Sequence, residues 1–198
     1  MVVRILLAVA LLAAPVSGEI LDIPVKLRQE NWNASDPPWN RTPIREGWPG
    51  SCVFASTVTL LRVHGFDATA TYWRNNYQGG SSASKIVNTL NESNLKFALE
   101  VYGQEEFLDW ACRNRLGAVI FFKPRHCCNL IDLTDTHAFV IDNNHPNATE
   151  IYTREKFLRM WKKPFNTQGT GGGNGFAFTL VYPPPPPWPS DSWKKLTE

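Results

Sequence analysis

The chain predicts an α+β domain, with helices first and an antiparallel sheet after them, and three observations carry that expectation. Helical apolar periodicity occupies residues 53–64, 69–76, 83–90 and 104–115. After Gly117 the pattern changes to short β-rich runs at 118–122, 127–133 and 136–142. A final apolar run, 176–182, follows a glycine-rich loop at 169–175 and precedes five consecutive prolines.

Each element has its own signal. In the first helix Val53, Phe54, Val58, Leu60, Leu61 and Val63 are apolar, and Gly65 stands where a helix ends in a left-handed residue. Gly79-Gly80-Ser81-Ser82 breaks the chain between the second and third helices. Residues 96–102 alternate like a strand. In 104–115, Phe107, Leu108 and Ala111 share a face, while Arg113 and Arg115 suit the negative end of the helix dipole. Leu133-Thr134-Asp135 turns strand 127–133 back into 136–142 as a hairpin. Thr153 N-caps a short helix reaching Lys162, with Lys156 where a capping box would have Glu.

The ends are different in kind. Residues 1–18 read as a secretory signal: Arg4, then an apolar stretch from Ile5 to Val16, then the small residues Ser17 and Gly18 before Glu19. That stretch is too short to span a bilayer, which takes about 20 residues. A secreted or periplasmic protein is expected, with no stable membrane insertion after cleavage. Residues 19–46 form an irregular arm rich in Asn, Pro and Trp, 47–182 the folded domain, and 183–198 a polyproline II tail. Trp32, Trp39, Trp48, Trp188 and Trp193 lie in Pro/Asn-rich stretches at or beside these ends and are expected to clamp loops onto the domain surface. With 20 basic and 18 acidic residues the formal charge is +2, so no basic footprint for nucleic acid exists. Sequons stand at Asn33, Asn40, Asn91 and Asn147, to be used only in a glycosylating host.

Chemistry is signalled first by Cys52. It sits where a Gly/Pro-rich loop becomes a helix, and the helix N-terminus favours a thiolate over a thiol. The other cysteines are Cys112, Cys127 and Cys128. Alternation sends adjacent strand residues to opposite faces, so Cys127 and Cys128 are not expected to share a partner. One bridge from Cys112 to either of them stays open. No CxxC or His/Cys cluster suggests zinc, and neither metal nor cofactor is expected.

A thiol nucleophile needs a base, and the base needs an orienting group. His64 ends the first helix, His145 lies in an Asn-Asn-His-Pro turn, and His137 follows the hairpin turn. His126 opens the strand 127–133, and Asp142 lies sixteen residues later, at the end of the return strand. In an antiparallel hairpin the start of one strand lies beside the end of the other, which brings Asp142 or Asn143 to His126 by local geometry.

The order of Gly50-Ser51-Cys52-Val53-Phe54-Ala55-Ser56, His126, Ile141-Asp142-Asn143-Asn144, the helix 153–161 and the closing strand 176–182 resembles the papain-like cysteine peptidases. The variant it looks most like is the bacteriocin leader (double-glycine) peptidases and their exported relatives. That resemblance implies Cys52 as nucleophile, His126 as general base and Asp142 as orienter, with Asn143 as the rival orienter. It also implies a thiol hydrolase acting on a peptide or protein substrate. The alternative is a catalytically degenerate relative that binds or scaffolds, and one departure favours it. Six residues before the nucleophile the family usually has an oxyanion-stabilising Gln, and here stands Glu46, whose carboxylate would repel developing negative charge.

Overall fold

The computed structural model describes residues 51–77, 79–145, 148–164 and 172–181. The signal, the arm, the proline-rich tail, Glu46 and the sequons at Asn33, Asn40 and Asn147 lie outside them. Asn91 is exposed in the third helix.

Five helices and six strands occur among the described residues: α1 (Cys52–Val63), α2 (Asp67–Asn76), α3 (Ala83–Glu92), β1 (Phe97–Glu100), α4 (Glu105–Arg113), β2 (Ala118–Phe121), β3 (Cys127–Leu133), β4 (His137–Ile141), β5 (Thr149–Thr153), α5 (Arg154–Lys162) and β6 (Ala177–Leu180). The α+β class is as expected. Gly65 ends α1 at φ +77°, and Phe66 N–H reaches back to the Leu61 carbonyl, closing the helix as its glycine implied. Ser82 caps α3 by accepting from the Lys85 N–H, and Thr153 caps α5 through the Lys156 N–H.

The strands form one antiparallel sheet in the order β1-β6-β2-β3-β4-β5. The helices do not all lie on one side. Val53, Phe54, Leu60, Leu61, Trp73 and Ile86 of α1–α3 pack with Val119, Cys127, Ile131 and Phe178. Phe107, Leu108, Trp110, Phe157 and Trp161 of α4 and α5 pack with Ile120, Cys128, Leu130 and Ala177. The central strands are therefore buried on both faces, and β2, Ala-Val-Ile-Phe, reads as a continuous apolar run. Adjacent Cys127 and Cys128 fall into opposite cores, as strand alternation requires.

Strand β5 was not anticipated. Its sequence, Thr-Glu-Ile-Tyr-Thr, is half-exposed at the sheet edge and carries no clean apolar alternation. It pairs with β4 in the register His137↔Thr153 to Ile141↔Thr149.

The β3–β4 hairpin sets the site. Leu133 pairs with Ala138 and Asp132 with Phe139, but Leu130 pairs with Val140 and Asn129 with Ile141, so a bulge shifts the register by one residue. Carried past its last pair, that register sets Cys127 against Asn143 and His126 against Asn144.

Candidate active site

Cys52 is the first residue of α1, half-buried, and its helix packs on β3. A tight turn after β2 delivers His126. Phe122 N–H donates to the His126 carbonyl at 2.9 Å, His126 N–H to the Lys123 carbonyl at 3.2 Å, and Arg125 takes the left-handed φ of 55° that the turn requires. Asp142 follows the last residue of β4. Its Oδ1 meets His126 Nε2 at 2.7 Å, the Asn144 N–H donates to the same oxygen at 2.8 Å, and Lys123 Nζ donates to Oδ2 at 2.8 Å. Lys123 also bonds Glu150 of β5 at 2.8 Å. The turn thus grips both carboxylate oxygens, one through each end.

With Nε2 committed to Asp142, the other ring nitrogen of His126 is the one left for the thiol, and His126 and Cys52 line the same cavity and favour each other's charged forms. The Cys127 side chain and backbone also act on the Cys52 sulfur, each favouring the thiolate. Cys127 is the largest influence on Cys52. Burial opposes it, His126 adds a hydrogen bond and a positive charge, and the thiol is pushed down from 9.0 to about 5. Burial works against a charged His126 ring, but bonds to Asp142, Cys128 and Cys52 outweigh it and push its pKa up to about 12. Burial also disfavours the Asp142 carboxylate, yet His126 and Lys123 hold it well below its ordinary 3.8. Burial pushes the Cys127 and Cys128 thiols up, and the Cys52 thiolate adds to this at Cys127. Of Cys52, Cys127 and Cys128, only Cys52 is driven towards the anion.

Asn143 does something else. Its Nδ2 donates to the Cys52 carbonyl at 3.1 Å, the Ser56 hydroxyl at 2.9 Å and the Cys127 carbonyl at 2.8 Å. These bonds staple the head of α1 to the head of β3, while the carboxylate on the His126 ring belongs to Asp142. The remaining histidines are elsewhere: His64 bonds the Leu116 carbonyl at 2.7 Å, His137 bonds the Thr136 hydroxyl at 2.9 Å, and His145 is exposed.

Lys123, Ser56 and Cys127 were not picked out as site residues by sequence reasoning. Lys123 carries a signal only in retrospect, as a lysine three residues before His126 in a turn. The contacts of Ser56 and Cys127 depend on α1 packing against β3, which no local pattern encodes. All four cysteines are free thiols, so the bridge left open for Cys112 is not formed.

A cavity of about 390 Å³ opens over Cys52 and His126, with Phe121, Phe176, Val101 and Gly173 among its walls. Two clusters of ligand-type side chains lie near it, His126–Cys128–Asp142 and Asp142–His145–Glu150. In the second, the Lys123 ammonium already sits 2.8 Å from both carboxylates, where a metal ion would meet like charge. No helix of the described residues is long and apolar enough to cross a membrane.

No protein-family model matches the chain, and no curated protein matches it significantly. Among solved structures it is similar to a double glycine motif protease from an AMS/PCAT transporter, determined in complex with the leader peptide. That likeness has 15% identity and a TM-score of 0.47, and it covers 69% of this chain and 86% of the other.

Proposed function

We propose that the chain is a papain-like thiol hydrolase that cleaves a peptide or related amide by acyl transfer through Cys52, His126 and Asp142. The observation that carries this reading is that Cys52 and the His126 ring line one cavity while the Asp142 carboxylate holds the far side of that ring at 2.7 Å. The thiolate attacks the substrate carbonyl carbon, and the carbonyl π electrons move onto oxygen. The Cys52 backbone N–H, on the first residue of α1 and without an intrahelical acceptor, is one donor for that oxyanion. The imidazolium of His126 then gives its proton to the leaving amine, and the C–N bond breaks. Neutral His126 takes a proton from water, whose oxygen attacks the thioester, and Cys52 leaves as thiolate. Asp142 keeps the ring oriented throughout and balances its charge. The apolar walls at Phe121 and Phe176 exclude water from the bound segment.

Residues 1–18 direct this enzyme out of the cytoplasm, and N-terminal sequencing of the mature protein should begin at Glu19. The activity is tested on a mixed peptide library read by mass spectrometry. Cys52→Ala and His126→Ala each abolish cleavage, and the double variant is no worse than either single one. Retained cleavage in Cys52→Ala, no cleavage by the native chain, or loss on His137→Ala with His126→Ala active would each overturn the assignment.

A further inference from the structure

We propose that Cys52 and Cys127 are a reversible redox pair: a peroxide oxidises Cys52, and Cys127 captures it as an intramolecular disulfide. Two free cysteines 75 positions apart are brought together here by the packing of α1 on β3. One amide nitrogen, Nδ2 of Asn143, binds the main-chain carbonyls of both residues, at 3.1 Å and 2.8 Å. The two side chains line the same cavity wall, near enough that Cys127 is the largest influence on the ionisation of Cys52. The neighbouring Ser56 hydroxyl donates to the Cys127 carbonyl at 3.4 Å, which further fixes the start of β3 against the helix.

Access separates the roles. Cys52 is half-buried and faces the cavity, whereas Cys127 is only 4% exposed. A small peroxide therefore meets Cys52 first, and the buried thiol acts second. The other thiols are poorly placed for this. Cys128 lies on the opposite face of β3, and Cys112 is buried in α4 within the same far core. A positive His126 beside Cys52 favours thiolate attack, as in redox-sensitive cysteines generally.

The chemistry balances. The Cys52 thiolate attacks one peroxide oxygen, the O–O bond breaks, and the departing hydroxide takes a proton from the His126 imidazolium to leave as water. Sulfur is oxidised by two electrons to a sulfenic acid, and the peroxide is reduced. The Cys127 sulfur then attacks the Cys52 sulfur. The S–O bond breaks, and the Cys127 proton leaves with the hydroxyl as a second water. A dithiol reverses the linkage by exchange. The nucleophile is thereby masked without irreversible over-oxidation.

The inference shares with the hydrolase reading only the reactivity of Cys52. It requires no peptide to be cleaved, so a chain that forms the bridge and cleaves nothing keeps this proposal and loses that reading. The test treats the folded protein with hydrogen peroxide, alkylates the remaining thiols and maps the peptides by mass spectrometry. The expected product has lost two hydrogens and carries a Cys52–Cys127 linked peptide, and dithiothreitol restores labelling at Cys52. Cys112→Ala and Cys128→Ala form the same link. Cys127→Ala instead yields a dimedone-trapped sulfenic acid at Cys52 that proceeds to sulfinic acid beyond dithiothreitol rescue. If native Cys52 goes straight to sulfinic acid, or pairs with Cys112 or Cys128, the proposal fails; should Cys127→Ala not fold, the native map alone decides.

Discussion

The ionisation of Cys52 makes a prediction sharp enough to work through. An ordinary thiol at 9.0 is about 1% thiolate at pH 7, whereas Cys52 at about 5 is about 99% thiolate. Lower basicity also lowers intrinsic nucleophilicity, by roughly 40–100-fold over four pKa units at a Brønsted sensitivity of about 0.4–0.5. At neutral pH the two effects nearly cancel, and Cys52 should react with iodoacetamide at about the rate of a free thiol. At pH 5.5 they do not. Cys52 is still about three-quarters ionised, the ordinary thiol about 0.03%, and the net advantage is roughly 20–60-fold. The assay follows carbamidomethylation of the Cys52 peptide by mass spectrometry from pH 4 to 10 beside a model thiol. The rate should rise through a midpoint near 5 and stay flat to pH 9. In His126→Ala the midpoint should move upward, though not fully, because Cys127 leads the shift. A native midpoint near 9 would refute the ion-pair reasoning, and an unmoved midpoint in His126→Ala would remove the imidazolium's part in it.

Asn143→Ala strips a donor from two carbonyls and a hydroxyl and should cost about 1–3 kcal/mol, a fall in Tm of several degrees by calorimetry. Lys123→Met leaves the buried Asp142 carboxylate without its ammonium; the expected loss is about 1–3 kcal/mol, smaller in molar salt because Lys123 is 28% exposed. The Asp142 carboxyl is held below 3.8, so its contribution to stability is complete above that pH and disappears as pH falls further. Urea titrations below pH 4 should therefore show a shallower decline in Asp142→Asn than in the native chain. At Gly173 an added Cβ would collide with the Phe121 carbonyl oxygen, so Gly173→Ala should lower stability by about 1–3 kcal/mol and reduce peptide cleavage by displacing a cavity wall.

What the sequence disclosed was what local rules govern. Cys52 at a helix head, Gly65 at its end, and Asp142 beside His126 all follow from periodicity, capping and hairpin geometry. The edge strand β5 escaped because a half-exposed strand needs no alternating apolar face. Helices on both sides of the sheet escaped because a fully buried strand and a buried helix segment look alike in composition. The neighbours of Asn143 turn on the bulge in β3: without that one-residue shift, Asn144 would oppose Cys127. Backbone irregularity of this sort has no marker in Asn-Leu-Ile-Asp.

The position of β6 bears on how the molecule is made. It is the last strand among the described residues and yet lies between β1 and β2, bonding to each. Until residues 177–180 have been synthesised, β1 has no neighbour and β2 keeps a bare inner edge, a template for wrong pairing. The nucleophile's helix and the base-bearing hairpin are thus translated well before the strand that joins β1 to the rest of the sheet. A nascent chain that has not yet reached β6, or one clipped before it, holds every reactive side chain without a finished scaffold, which delays maturation until that strand has emerged.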